Sequence, residues 1–364
     1  MLVNDVAKII EKFAPLQLQE SYDNSGLCIG NPEQTVTGIL LTIDITEPVI
    51  NEAIQKNCNL IISHHPLIFS GIKKITGKNY IERCTIKAIQ NNIAIYSAHT
   101  NMDAVSEGVS KKMCDKLGLI NCKILLPLNG ELRKLVTFVP TDSSEKVREA
   151  IFAVGAGHIG NYDSCSFNVE GKGSFRGNES SNPFVGEKEK LHFENETRIE
   201  TVFPKFIEKE IIKALILAHP YEEVAYDIYP IENSYPLAGM GMIGELPSEM
   251  AELEFLQKVK NTFNAKYIRH TSIRNQNIRK IAVCGGSGSS LLPNAIHCRA
   301  DVFISADFKY HQFFDSENKI TIADIGHYES EQFTKEIFYD LLTKNFNNFA
   351  VHFSSINTNP INYL

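Results

Sequence analysis

Two kinds of apolar segment alternate along the chain. Short aliphatic runs read as buried strands, and longer stretches with apolar residues three and four apart read as helices. Residues 3–13 have the helical spacing, and Pro15 stops them. "TGILLTID" (37–44) reads as a strand, and "TEPVINEAIQKN" after it as a helix with Thr46 at the cap and Pro48 in the first turn. "NLIIS" is the next strand. A polar loop with Gly71 and Gly77, a helix near 79–91, the strand "IAIYSAHT" and a helix over about 106–117 that Gly118 ends then follow. Strands alternating with helices predict a largely parallel sheet covered on both faces.

From about residue 236 the pattern repeats. "IRKIAVCGG", "ADVFIS" and "KITIADIGH" are apolar strands ending in polar residues or glycine, with helical segments around them. The stretch between differs: "LRKLVTFVP", "SSEKVREAIFAV", "CSFNVEG", "TRIETVFP", "KFIEKEIIKALILAH" and "EVAYDIYP" run β-α-β-β-α-β, the ferredoxin-like order. The expected fold class is α/β, in two halves at 1–130 and 236–364, with an inserted ferredoxin-like α+β domain at 131–235.

Length agrees with more than one domain, because single cores stop growing at about 250–300 residues and this chain has 364. With 43% hydrophobic and 22% charged residues it is an ordinary globular composition. A net charge of −7 argues against a nucleic-acid-coating protein. The charged, amphipathic N-terminus lacks a signal-peptide pattern, and no run of about 18 apolar residues predicts a membrane span. Eight cysteines without a CxxC or a regular framework read as reduced, mostly buried thiols, so a cytoplasmic location is expected.

Candidate chemistry gathers where strands end, the usual place for ligand sites in open α/β sheets. In "NLIISHHPLIFS" (59–70) an apolar strand runs into His64 and His65, and Pro66 keeps it from continuing in a central ladder. Neighbouring side chains of an extended backbone point to opposite faces, which suits two ions better than one. "SAHTNMDA" adds His99 and Asp103 after a strand, and "GHYESE" places His327 and Glu331 four residues apart on one helix face. Mixed nitrogen and oxygen ligands without thiolate suit Zn, Mn, Fe or Co. His64, His65, Asp103, His327 and Glu331 are too many ligands for one open catalytic ion, and suit two ions sharing a carboxylate.

Other strings carry less. "GAGHIG" (155–160) matches G-x-G-x-x-G but follows a helix rather than a strand, and so fails as a dinucleotide site. "CGGSGSS" (284–290) follows a strand; its amides could cradle an anion, or it could simply be a tight turn. In "ISADFKYHQFF", Asp307 and His311 follow a buried strand and could line the same cleft.

Taken together, "YDNSGLCIG" (22–30), "IISHHPLIF", "SAHTNMD", "FISADFKYH" and "GHYESE" resemble the Nif-three-like family, named GTP cyclohydrolase 1 type 2 in many genomes. The resemblance covers roughly 1–128 and 236–364, and Tyr22 stands where the family usually has Trp. It implies two related α/β units forming a dinuclear-metal cleft, with His65 and Asp103 on one ion, His64 and His327 on the other, and Glu331 bridging. It implies a ring of dimers, often a homohexamer, and an insert similar to the PII and CutA proteins, carried here by "AHPYEEVAYDIYP" (218–230). The implied activity is opening of the guanine imidazole ring of GTP with loss of formate.

Two functional classes follow. One is a dinuclear metal-dependent hydrolase of a nucleotide or similar small molecule, in which Glu331, His99 and His311 take catalytic roles and the 285–289 loop holds phosphate. The other is a non-enzymatic, ring-shaped metal-binding adaptor or regulator. No membrane partner is expected.

Overall fold

The structure is a computed structural model and describes residues 1–347 and 349–364. The chain forms two compact units, Met1–Pro127 with Pro236–Leu364, and Leu128–Tyr235. No helix among the described residues is long and apolar enough to cross a membrane.

The first unit holds two sheets. In one, Leu60–Ser63 lies between Ile39–Thr42 and Ala94–Ser97, all parallel. Gly26–Ile29 pairs antiparallel on one edge and Val351–Phe353 parallel on the other. Period-two alternation explains its covering layers. Ile39, Leu41, Leu60, Ile62 and Tyr96 pack on the Val3–Phe13 and Thr334–Asn345 side, with Val6, Ile10, Phe338 and Leu342. Leu40, Ile61 and Ile95 pack the other way, against Val49, Ile50 and Ala53 of Glu47–Gln55 and Cys84 and Ala88 of Tyr80–Gln90. Thr46 is the N-cap of Glu47–Gln55 by backbone position, but its hydroxyl makes no capping bond.

The second sheet has the order Arg269–His270, Thr321–Asp324, Val302–Ala306, Asn277–Ser287, Tyr235–Ala251, Ile120–Leu128. Its three central strands from Thr321–Asp324 to Asn277–Ser287 are parallel. Alternation again splits the apolar residues, Ile281, Val283, Val302 and Ile304 to one core and Ala282, Cys284, Phe303 and Ile322 to another. The two sheets exchange edge strands. Ile120–Leu128, from the N-terminal half, joins the second sheet, and Val351–Phe353, from the C-terminal half, joins the first.

The other unit is a four-stranded antiparallel sheet in the order Phe167–Phe175, His192–Pro204, Leu132–Pro140, Tyr226–Ile231. Helices Ser144–Ala153 and Glu208–Ala218 cover one face through Val147, Ile151, Ile211 and Leu215, packed on Leu135, Val139, Ile199 and Phe203.

Candidate metal centre

The site is built where parallel strands stop. Strand Leu60–Ser63 ends and the chain bends at His64 and His65 before Pro66. Because both residues lie beyond the last ladder position, strand alternation does not govern them. Their rings are 4.9 Å apart and tilted by 44°, and both converge on one carboxylate. This corrects the expectation that they are aimed at opposite faces. His99 caps the short helix Thr100–Ala104 after Ala94–Ser97, and Asp103 lies in that helix. His327 and Glu331 open and close the five-residue helix after Thr321–Asp324.

Each imidazole is held from behind at Nδ1. His64 Nδ1 lies 2.9 Å from the Ala98 carbonyl, and His65 Nδ1 2.7 Å from Asp44 Oδ1. His99 Nδ1 is 2.8 Å from Asp23 Oδ1, and His327 Nδ1 2.6 Å from Asp307 Oδ2. A ring that donates from Nδ1 to an oxygen presents the Nε2 lone pair, which fixes the tautomer a metal needs. Asp23 and Asp44 carry no weight in a reading of motifs, although each sits beside a strand end or inside a quoted string.

At the front, Glu331 Oε2 is 3.0 Å from His65 Nε2, 3.1 Å from His327 Nε2 and 3.7 Å from His64 Nε2. Asp103 Oδ1 is 3.7 Å from His64 Nε2, and the Nε2 atoms of His65 and His327 are 3.3 Å apart. His64 Nε2, Asp103 Oδ1 and Glu331 Oε2 are all buried without a hydrogen-bond partner among the described residues. Orphaned polar atoms are costly to bury, at about 1–3 kcal/mol each or more when charged. Three of them facing one another are what a cation would satisfy. Burial opposes ionisation of Glu331, but the imidazoles of His64, His327 and His65 hold its carboxyl well below the usual range. Burial likewise disfavours charge on His65 and His327, yet Asp44, Asp307 and Glu331 raise them to about 10 and about 11. The field that favours a proton on these rings favours a metal cation between them.

Among the described residues, ligand-type atoms fall into three groups that could hold a metal ion: His64, Asp103 and Glu331; His65, His327 and Glu331; and His64, His65 and His99. The first two differ from the pairing that the resemblance implies, which put His65 with Asp103 and His64 with His327. The cause is the bend after Ser63. The Ala98 carbonyl turns the His64 ring toward the helix bearing Asp103, whereas Asp44 turns His65 toward His327.

A sequence model of the family Duf34/NIF3 (NGG1p interacting factor 3) matches residues 1–360. The chain belongs to this family. Its curated relatives include a Bacillus subtilis protein named "GTP cyclohydrolase 1 type 2 homolog", 38% identical over 99% of this chain and 98% of that protein. A Staphylococcus epidermidis protein of the same name is 35% identical over the full length of both. Among solved structures, a Bacillus cereus protein related to NIF3 is 36% identical with a TM-score of 0.87, covering 100% of this chain and 99% of that one. Staphylococcus aureus protein SA1388 is 30% identical with a TM-score of 0.79 and the same coverage.

In this NIF3-family chain the glycine string 284–290 serves Glu331. Gly286 has φ +60, and a Cβ there would collide with Glu331 Oε1. The backbone amide of Gly286 donates to Ser330 Oγ at 2.9 Å, and that of Gly288 to Ser305 Oγ at 2.9 Å. These amides are committed to serines, so the anion-cradle reading of the 285–289 loop has no donors at those two positions. Asp307 and His311 part company. Asp307 orients His327, whereas His311 is exposed on the turn Tyr310–Ser316 beside Tyr310 and Phe314 and belongs to none of the three groups.

Proposed function

We propose that this protein is a dinuclear metal-dependent hydrolase acting on a nucleotide or related heterocycle. His64, Asp103 and Glu331 would hold one divalent ion (Zn, Mn, Fe or Co), and His65, His327 and Glu331 the other. The observation that carries this reading is Glu331 Oε2, a buried oxygen with no hydrogen-bond partner among the described residues and three Nε2 atoms within 3.7 Å. Bound ions of this kind supply Lewis acidity and a water acidified toward neutral pH.

The chain's own groups supply the rest. His99, fixed by Asp23 at Nδ1, offers Nε2 as a proton acceptor and donor beside His64 and His65, at ring distances of 5.3 Å to each. Phe69 lies 6.2 Å from His99 and Tyr22 6.1 Å from Phe69, both well exposed, which suits a flat substrate ring at the mouth. The name carried by the relatives makes GTP the first substrate to test. Hydrolysis of both C–N bonds to purine C8 consumes two waters and releases that carbon as formate. The family resemblance further supports a homohexameric ring of dimers, which sedimentation measures.

Elemental analysis of gently purified protein should give two divalent ions per chain, falling to one or none in Glu331→Ala. Formate from GTP should stop with chelator, return with added Mn or Zn, and fall at least about a hundredfold in Asp103→Ala. Equal formate from wild type and Asp103→Ala would place the activity elsewhere. Two bound ions with no nucleotide turned over would leave a metal-binding adaptor instead.

A further inference from the structure

The unit Leu128–Tyr235 contains a cavity of about 660 Å³, within the size range of small-molecule sites. It lies on the sheet face away from the helices. Ile199 and Phe203 of the strand His192–Pro204 point to the helical core, so Glu196 and Arg198 point the other way. Register puts Val169 opposite Arg198, Gly171 opposite Glu196, and Phe175 opposite His192, all on that same open face. Two glycines in alternate positions strip the neighbouring strand of side chains there. A Cβ on Gly173 would collide with the Glu196 carboxylate, so the bare strand is what lets that carboxylate lie over it.

Glu196 accepts a hydrogen bond from the Tyr221 hydroxyl at Oε1, 2.9 Å, and Oε2 has no protein donor among the described residues. Tyr221 is flanked by Phe175 at 5.8 Å and Phe184 at 6.4 Å between ring centroids. The Asn182 amide donates to Glu222 at 2.8 Å, tying the segment bearing Phe184 to the turn bearing Tyr221. Arg198 does not neutralise Glu196, because its guanidinium is held by Glu200 at 2.8 Å. Arg176 shares the lining with Glu222 and Glu223.

We propose that this cavity binds a small organic amine with an apolar body. The ammonium would sit at Glu196 Oε2 among the rings of Phe175, Phe184 and Tyr221, and the body over Phe138 and Val169. A carboxylate with a free oxygen inside a ring of aromatic side chains selects a cation by charge and by the ring quadrupoles, and the apolar floor selects against a bare ion.

Calorimetric titration of the full-length, metal-loaded protein with 2-phenylethylamine and choline tests this, with neutral 2-phenylethanol and anionic phenylacetate as comparators. The amines should saturate at one per chain and bind at least about tenfold more tightly than either comparator. Glu196→Gln should weaken amine binding about tenfold or more, and Phe184→Ala should weaken it too, with metal content and far-UV circular dichroism unchanged. Phe184 is 59% exposed, so that variant keeps the test valid if Glu196→Gln misfolds. Equal binding of amine, alcohol and acid, or undiminished binding in both variants, would overturn the proposal. So would no amine binding together with loss of self-association in Phe184→Ala, which would assign this face to a second copy of the chain.

Discussion

Each candidate ligand histidine presents Nε2 because something holds Nδ1, and for His65, His99 and His327 the holder is an aspartate from elsewhere in the chain. Such orienting carboxylates typically contribute about ten- to a hundredfold in metal affinity. Asp307→Ala should therefore weaken the ion proposed at His327 by about that factor in a chelator competition, while the ion proposed at His64 and Asp103 is retained. Equal loss of both ions would show that the two sites fill as one. At this scale the sequence exposed the ligand types and their strand-end positions but not their partners. Asp44 lies 21 residues before the histidine it holds, and Asp23 lies 76 before His99, so spacing carries no signal. The pairing of His64 and His65 was illegible for a related reason: alternation applies within a ladder, and both residues lie past its end.

Segments such as Val3–Phe13, Ile39–Thr42 and Leu60–Ser63 are readable from periodicity because each buries a stripe or a whole strand in its own core. What a glycine string is for is not readable that way. Gly286 can be understood only once Glu331, 45 residues later, is seen against it. Gly286→Ala should displace that carboxylate and strain the positive φ, lowering bound metal to one ion or fewer with the fold retained. A metal content equal to wild type would show that Glu331 can swing aside. A second tie between elements is Glu52 in the helix Glu47–Gln55, which receives hydrogen bonds from Lys56, Ser354 and Ser355 beside the edge strand Val351–Phe353. Burial opposes its ionisation, but these donors prevail and lower it from the ordinary 4.5 to about 2. A carboxylate lowered on folding stabilises above its ordinary value and loses that contribution as pH falls through the folded one. Glu52→Gln should therefore cost about 1.5–3 kcal/mol near pH 7. The gap to wild type should close between about pH 4.5 and pH 2 in thermal melts. A gap independent of pH would mean that Glu52 acts through packing alone.

The whole molecule divides its labour between units in a way that bears on the ligands. His64, His65, His99 and Asp103 lie before residue 128, and His327 and Glu331 after 235, so the candidate centre needs both ends of the chain and nothing from between. The ends are also interleaved, since each sheet borrows its edge strand from the other half. That exchange was not legible in the sequence, where neither Ile120–Leu128 nor Val351–Phe353 is read as a strand. It predicts that 1–130 and 236–364 expressed apart would each lack an edge strand and fail to fold, whereas a single chain lacking the middle would keep the ladders of both of these sheets. The geometry permits the joint. Ile120–Leu128 and Tyr235–Ala251 are adjacent strands, and a Cβ on Gly239 would lie 2.7 Å from Pro127 Cα. We therefore expect a protein in which residues 130 and 236 are joined by a short flexible linker to bind the same number of metal ions per chain as the full-length protein. It should lose the binding of 2-phenylethylamine entirely, because Glu196, Phe184 and Tyr221 are gone with the removed unit. Calorimetry and elemental analysis on one preparation read both at once. A folded deletion protein without metal would mean that the removed unit supports the centre, and one that still binds the amine would place the amine site outside the cavity at Glu196.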